Sequence, residues 1–263
     1  MGAGSFLLKA PLLATNITVG EHPTAKLGPL TVNVDIVWAT IIAGLVVVLL
    51  GMILRSKATS GVPGKFQLAW ELAVSSVQRQ VDESIGPRGA KVVPLALTLF
   101  IFIFICNLFE VVGIGSRYEF LPAPTSDINL PLAMALYVFV LTNLAAVRNR
   151  GLRGYLAHYV KQPFKPWLAP VNLFMNGVEE IIKPLTLTLR LFGNLLAGGL
   201  MLSLLAALVI WKLGPLPIGG LVSIPFTVVW KLFDLAIGAI QAFIFALLTV
   251  VYFDAAMATD EAH

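Results

Sequence analysis

Charged residues are scarce in this chain. Only 12% of its 263 residues are Asp, Glu, Lys or Arg, against about 25% in soluble domains. Hydrophobic residues make up 58% of the sequence, and the mean hydropathy is +0.88. This composition excludes an ordinary soluble domain and predicts a polytopic membrane protein. The pI near 9.3 is then explained by membrane topology and does not indicate nucleic-acid binding.

Cysteine and histidine are also scarce. The single cysteine, Cys106, excludes an intrachain disulfide, and no Cys or His spacing indicates a metal site. We expect Cys106 to pack in the core, and His22, His158 and His263 to lie in solvated loops and tails. We expect neither a metal nor another cofactor. The chain also lacks a Walker A loop or another Gly-rich phosphate cradle, so no nucleotide is expected to bind it directly.

Long uncharged runs predict the membrane topology. The six predicted helices cover residues 34–55, 66–84, 91–112, 128–148, 168–212 and 218–258. The helix at 66–84 is amphipathic and is expected at the membrane interface, and the basic stretch 148–167 is interpreted as a loop. We expect residues 1–30 to form a loosely ordered tail outside the membrane. Residues 31–263 are expected to form one integral membrane domain.

The last two predicted helices are too long to stand upright in a bilayer. The stretch from Pro170 to Trp211 would form a helix of about 60 Å, twice the hydrocarbon thickness of about 30 Å. Pro184 can kink this helix without ending it. The predicted fold is therefore all-α: three roughly upright spans, one interfacial amphipathic helix, and a hairpin of two long, strongly tilted membrane helices.

Lysines and arginines predict the orientation of the chain. Eleven of them lie in the segments that follow the first and third spans, and four lie on the opposite side. This asymmetry places the N-terminus outside the cell and the C-terminus in the cytoplasm.

Arg190 lies deep inside the fifth predicted helix. An uncharged run follows it as far as Trp211, and another precedes it from Pro184 to Leu189. An arginine at the centre of a span costs roughly 2.5–3.5 kcal/mol on insertion scales, so such residues usually face protein or water and mark ion pathways. The structural alternative is that Arg190 extends to the lipid headgroups or to nearby carbonyls.

Polar and small residues lie around Arg190 on both long helices. On the fifth helix Lys183, Asn194, Ala197 and Met201 share a stripe with Arg190, and Gly193, Gly198 and Gly199 lie between and beside them. On the last helix Lys231, Asp234, Gly238 and Gln241 line one face. Small residues let a partner helix approach closely, although packing within the chain explains the glycines equally well. Asn172, Asn176, Glu179 and Glu180 supply polar groups on the other side of Arg190. Polar groups on both sides of one fixed charge indicate two aqueous access routes that do not meet.

The run PLTLTLRLFGNLLAGG and the later run AIQAFIFALLTVVYF resemble the a subunit of the F-type ATP synthase. The resemblance extends across nearly the whole chain. It implies that Arg190 faces a ring of c subunits, and that Asn194 and Gln241 match the Asn of LRLFGN and the Gln of QAFIF. It also implies a non-catalytic, proton-translocating stator of the Fo sector in a prokaryotic cell membrane, with ATP chemistry on other subunits. The implied partners are the c ring, the b subunits or peripheral stalk, and the lipid bilayer.

Three positions depart from the family pattern. Many relatives carry a carboxylate at Gly199, a histidine at Asp234 and a glutamate at Asn176, so one acidic group has moved between the two long helices. The resemblance still implies an outer half-channel past Asp234 and Lys231 and an inner one past Glu179, Glu180 and Asn176. It further implies that Gly193, Ala197, Gly198 and Gly238 face the rotor. Protons are preferred to Na⁺ only by default.

Two other functions are compatible with an intramembrane arginine. A secondary transporter or self-contained channel would use Arg190 to bind an anionic substrate, but it would favour inverted repeats and broken helices, and the sequence shows neither. A structural scaffold would tolerate a neutral residue at this position.

Overall fold

The computed structural model of the chain describes residues 24–27, 30–59, 61–84, 86–112, 122–161, 166–208 and 218–257. Its long elements are all helical. The six α-helices are α1 Val34–Lys57, α2 Lys65–Ser84, α3 Val93–Val112, α4 Asn129–Lys161, α5 Ala169–Leu208 and α6 Ile218–Met257. All except α2 are long and apolar enough to cross a membrane. The predicted all-α class with its single non-spanning helix is therefore confirmed, whereas the predicted tilts stay a prediction.

A short hairpin precedes α1. Strand β1 (Thr24–Leu27) pairs antiparallel with β2 (Leu30–Asn33). The prediction of a loosely ordered tail is therefore wrong for residues 24–27 and 30, and residues 1–23 lie outside the described part. Two contributions explain the hairpin. The β-branched Thr31 and Val32 suit a strand, and the Asn33 side chain donates a hydrogen bond to the Asp127 carboxylate, far along the chain.

Helix α4 continues well beyond the predicted end of the third span. It passes Gly151, which has a φ of 70°, and ends at Lys161. Glycine adopts this left-handed conformation without the steric cost that other residues meet, so the chain changes direction there and then resumes a helix. The prediction of a basic loop is therefore wrong for residues 148–161, whereas residues 162–165 lie outside the described part. His158 is also half-buried on this helix and does not lie in a solvated loop.

The apolar core lies where α3, α4, α5 and α6 meet. Its largest buried side chains include Ile103 of α3, Leu187 of α5 and Phe245 of α6. A second cluster joins α1 to α3 around Cys106, which is completely buried. Cys106 therefore packs in the core as predicted.

Helices α5 and α6 each contain 40 residues, which corresponds to a length of about 60 Å. Pro184 lies inside α5 without ending it. Proline lacks the N–H that would bond the carbonyl one turn earlier. Nearby hydroxyls bond other carbonyls of this turn: Thr188 donates to the carbonyl of Pro184 at 2.8 Å and Thr186 to that of Lys183 at 3.0 Å. The helix nevertheless remains continuous through the segment that carries Arg190.

Candidate functional site

Arg190 lies near the middle of α5 and is half-buried between the buried residues Leu187 and Leu191. Its Nη1 atom is buried, and it has no hydrogen-bond partner within the described part of the chain. A buried polar group without a partner costs about 1–3 kcal/mol, and more when it is charged. The helices therefore partly enclose the guanidinium, and the described residues leave part of its hydrogen-bonding capacity unused.

Gln241 of α6 shows the same feature. Its side chain is half-buried, and the described residues provide no hydrogen-bond partner for its buried Oε1 atom. Buried polar atoms without partners are rare in folded proteins, and each one calls for an explanation. The two helices that carry Arg190 and Gln241 pack against each other. Trp230 of α6 adds a third such atom, its buried Nε1, so the hairpin of α5 and α6 contains three buried polar atoms without a hydrogen-bond partner among the described residues.

Two small residues lie on the surface of α5 close to Arg190. Gly193 and Ala197 are exposed, and a Cβ atom added at Gly193 would meet nothing within 4 Å. Asn194, one turn beyond Arg190, is half-buried. A second helix could approach α5 closely at this surface.

Asp234 of α6 belongs to a buried polar cluster together with α3. Only 5% of this residue is exposed, and its carboxyl group hydrogen-bonds the carboxyl group of Glu110. Lys231, one turn earlier, donates from Nζ to the main-chain carbonyl of Glu110 at 2.5 Å. Two carboxyl groups and one ammonium group therefore lie close together between α3 and α6.

The Asp234 carboxyl group packs directly against α5 at Gly198. A Cβ atom at Gly198 would lie 3.0 Å from Oδ1 and 3.1 Å from Oδ2 of Asp234. The carboxyl group of α6 thus fills space beside α5, next to Gly199, where many relatives were expected to carry their own carboxylate. This position fits the interpretation that an acidic group has moved from α5 to α6.

Gly238 makes a similar close contact with α3. A Cβ atom there would lie 3.0 Å from Cβ of Asn107, and the Asn107 side chain donates to the carbonyl of Gly238 at 3.0 Å. Thr125 donates in turn to the Asn107 side-chain oxygen at 2.9 Å. Gly198 and Gly238 are therefore buried against residues of this same chain and do not face outwards as predicted, whereas Gly193 and Ala197 are exposed.

Lys183 holds a second polar cluster nearer the start of α5. Its Nζ lies 2.8 Å from Oε1 of Glu180 and 3.1 Å from Oε1 of Glu179. The two carboxylates differ in exposure, because the Glu179 side chain is 64% exposed and that of Glu180 only 22%. Asn176, predicted beside them, donates from its side chain to the main-chain carbonyl of Tyr159 at 3.0 Å. This cluster thus ties α5 to the extended end of α4.

The predicted site residues form three groups along the two long helices. Lys183 and Gly198 lie on opposite sides of Arg190, about 10 Å and about 12 Å from it along the axis of α5. Between them the buried leucines 187, 191 and 195 separate the groups. Polar residues are therefore present on both sides of Arg190, and apolar packing lies in between.

Sequence reasoning missed several polar residues that the fold brings to these groups. They are Asn107 and Glu110 on α3 and Asn143, Tyr155 and Tyr159 on α4. Polar residues three or four apart in a span were the available signal. Among the described residues, no three side chains of His, Cys, Asp or Glu come together as they would in a metal site.

Comparison with known proteins identifies the family. The family model described as ATP synthase A chain matches residues 36–254. This chain belongs to the ATP synthase A chain family. It is 46% identical to ATP synthase subunit a of Acidothermus cellulolyticus, over 94% of this chain and 86% of the relative. Subunit a of Mycobacterium bovis is 43% identical, over 96% of this chain and 98% of the relative. That of Mycobacterium leprae is 41% identical, over 94% and 96%.

The family confirms the resemblance inferred from the LRLFGN and QAFIF segments. Its members are membrane subunits of the Fo sector and are not catalytic, so this A chain is not an enzyme by itself. The relatives are bacterial, and five helices in the described part of the chain are long and apolar enough to cross a membrane.

Proposed function

We propose that this A chain is the proton-translocating stator of a rotary ATP synthase, with two offset half-channels that Arg190 keeps apart. The observation that carries the proposal is the buried Nη1 of Arg190 in the middle of α5, for which the described residues provide no hydrogen-bond partner. Polar clusters lie about 10 Å to one side and about 12 Å to the other. A positive charge between two polar regions would keep the two aqueous routes apart. It would also remain available to a carboxyl group of the rotor.

Arg190 acts by its charge alone. An opposite charge favours the ionised form of a carboxyl group, so the guanidinium would make a rotor carboxyl group release its proton as it passes. The same positive charge repels protons that would otherwise move directly between the half-channels. Each elementary charge that crosses 100 mV supplies about 2.3 kcal/mol, which drives rotation.

Asp234 and Glu110 form the proton-receiving group of the outer half-channel. The two carboxyl groups can hold a proton between them, and Lys231 next to them offsets the charge of a carboxylate. A proton that enters from outside can thus replace one that has been passed to the rotor. Gln241 provides a polar atom on the same helix, two turns further along.

The exposed small residues Gly193 and Ala197 face the c ring, because a close approach by the rotor helices needs side chains of this size. Protons leave on the cytoplasmic side past Glu179, Glu180 and Asn176. The b subunits or peripheral stalk hold the A chain against rotation. The N-terminus lies outside and the C-terminus in the cytoplasm, as the distribution of basic residues indicates.

No observation favours the transporter alternative. That mechanism relies on unwound helix centres that bind substrate, whereas α5 and α6 run as unbroken helices from Ala169 to Leu208 and from Ile218 to Met257.

The test is Arg190→Ala in the assembled complex, with ATP-driven proton pumping and passive proton leak measured in membrane vesicles. The matched control is Arg153→Ala, because Arg153 is an exposed arginine on α4. We expect Arg190→Ala to abolish pumping and the control to retain it. If Arg190→Ala retains coupled pumping, the proposal is wrong.

A further inference from the structure

A cavity of about 290 Å³ lies between the non-spanning helix α2 and the helices α3 and α6. Helix α2 lines it with one face, formed by Ala73, Ser76, Val77 and Gln80, which recur three or four residues apart. Phe100 of α3 and four residues of α6 between positions 243 and 250 also line it. None of these described residues carries a charge. Small side chains on α2 therefore leave an uncharged cavity against two helices that are apolar enough to span a membrane.

The cavity is long and narrow. Its lining runs from residue 73 to 80 of α2 and from residue 243 to 250 of α6, which corresponds to about 10 Å along each helix. A volume of about 290 Å³ over this length gives a width of roughly 6 Å, whereas an α-helix with its side chains is about 10–12 Å across. A helix of a partner subunit therefore does not fit inside. A hydrocarbon chain does fit, because its carbon atoms contact their neighbours at about 3.5–4.0 Å.

One end of the cavity lies where α3 begins and α6 ends. Val81, next to Gln80, is fully buried in a cluster with Val93 at the start of α3 and Phe253 near the end of α6. Phe100 lies about 10 Å further into α3, within the half-thickness of about 15 Å that one leaflet contributes to the hydrocarbon core. The cavity therefore extends from the membrane interface, beside Gln80, into the acyl chains of one leaflet.

The two polar side chains of the lining differ in their bonding. The Ser76 hydroxyl donates to the carbonyl of Leu72 at 2.8 Å, so it is bonded within its own helix. The Gln80 side chain is half-buried, and its amide makes no hydrogen bond in the described part of the chain. Gln78, by contrast, donates to the Asp82 carboxylate at 2.8 Å. The interfacial end of an otherwise apolar cavity thus presents one amide that can both donate and accept hydrogen bonds.

We propose that this cavity binds one acyl chain of a phospholipid from the leaflet that α2 borders, and that the Gln80 amide bonds the ester or phosphate oxygens of the same lipid. A narrow, uncharged cavity with one polar end matches this amphiphile. A lipid held there contacts three helices, whereas a lipid on the exposed face of α1 around Leu45 contacts one. Because packing contacts add up, the lipid in the cavity exchanges more slowly than the lipids around the protein. This lipid site does not depend on the proton translocation proposed above.

The test uses the assembled complex in vesicles of phosphatidylcholine, with a trace of phosphatidylcholine that carries a photoactivatable diazirine on one acyl chain. After illumination, mass spectrometry locates the labelled residues, and labelling of the exposed face of α1 serves as the internal standard. We expect label on residues 243–250 of α6. Ser76→Leu places a larger side chain in the cavity, and the cost of overpacking predicts a roughly tenfold fall in this labelling.

Ser75→Leu is the matched control. Ser75 is exposed on the same turn of α2, its hydroxyl donates to the same carbonyl of Leu72 at 3.0 Å, and it does not line the cavity. Labelling of residues 243–250 should therefore be unchanged in this variant. Ala73→Leu fills the cavity from the neighbouring turn, and it replaces Ser76→Leu if the complex does not assemble with that variant.

Gln80→Ala tests the polar end of the cavity. The loss of one ordinary hydrogen bond to the lipid should lower the labelling of residues 243–250 about fivefold. Gln78→Ala is its control and should leave the labelling unchanged, because the Gln78 amide bonds Asp82 and does not line the cavity.

Three results would contradict the proposal. Equal labelling of residues 243–250 in Ser76→Leu and Ser75→Leu would show that the label comes from lipid outside the cavity. Label on these residues in the isolated chain but not in the complex would show that another subunit fills the cavity. Undiminished labelling in Gln80→Ala would rule out the contact with the lipid headgroup.

Discussion

Replacing Gly198 by alanine tests how closely the buried carboxyl group of α6 packs against α5. The added Cβ would lie 3.0 Å from Oδ1, 3.1 Å from Oδ2 and 3.2 Å from Cγ of Asp234. These distances are shorter than the optimum of about 3.5–4.0 Å for carbon contacts. Asp234 has little room to move away, because it is 5% exposed and bonded to Glu110. We therefore expect Gly198→Ala to destabilise the A chain.

The expected magnitude follows from two opposing effects. An extra methyl group in a well-packed core costs about 1–3 kcal/mol, while glycine to alanine inside a helix contributes up to about 1 kcal/mol of stability. Gly193→Ala is the matched control, since a Cβ atom at Gly193 meets nothing within 4 Å. Gly193→Ala gains the same helix propensity, but its new methyl group makes no close contact with another side chain. The unfolding free energies of the two variants should therefore differ by about 1–3 kcal/mol.

The assay is denaturant-induced unfolding of the isolated chain in detergent micelles. Adding Asp234→Ala to Gly198→Ala should recover most of the lost stability, because the second change removes the clashing oxygens. In the assembled complex the double variant should still fail to pump protons, because Asp234 is missing. If Gly198→Ala and Gly193→Ala have equal free energies of unfolding, Asp234 does not pack closely against α5 at Gly198.

Three further variants test individual contacts. Asp234→Asn keeps the size of the side chain but removes its titration, so pumping by the assembled complex should be lost while assembly is retained. Asn107→Leu removes the bonds to the carbonyl of Gly238 and to Thr125 and should lower the unfolding free energy by about 1–3 kcal/mol. Gly151→Ala forces alanine to a φ of 70° and should cost about 1–2 kcal/mol in thermal or denaturant unfolding, whereas Gly44→Ala in α1 should not destabilise the chain.

Each of these expectations has a result that contradicts it. Normal pumping by Asp234→Asn would show that this carboxyl group does not carry the proton. An unchanged unfolding free energy in Asn107→Leu would mean that its buried hydrogen bonds contribute nothing. Equal stability of Gly151→Ala and Gly44→Ala would contradict the left-handed break in α4.

The helices could be predicted closely because their signal is local. An uncharged run flanked by charged residues indicates where a membrane span begins and ends. The predicted range 91–112 therefore differs little from Val93–Val112. Arg190 could be found for the same reason, since a single charge in an apolar run is visible without knowledge of the fold.

The partners of the site residues could not be predicted, because they depend on contacts far apart in sequence. Asp234 meets Glu110 and Gly198 only when α6 packs against α3 and α5. Glycines at helical spacing permit close packing against any helix, so the sequence does not distinguish an internal neighbour from a rotor. This is why Gly238 was predicted to face outwards, although it packs against Asn107.

The extension of α4 was missed for a related reason. A glycine followed by basic residues is typical of a loop, and Gly151 does break the helical conformation. The helix that follows is held by distant residues: Asn172 donates to the carbonyl of Val160 at 2.9 Å and Asn176 to that of Tyr159 at 3.0 Å. Such support becomes visible only when α5 is in place.

The most direct test of the central claim is to determine from which side water reaches each polar cluster. In the assembled complex with Cys106 replaced by serine, Lys231→Cys and Glu180→Cys are exposed in turn to a membrane-impermeant thiol reagent on each face. The account predicts that Lys231→Cys reacts only from the outer face and Glu180→Cys only from the cytoplasmic face. If one face labels both positions, a single continuous aqueous path passes Arg190, and the account of two separated half-channels is wrong.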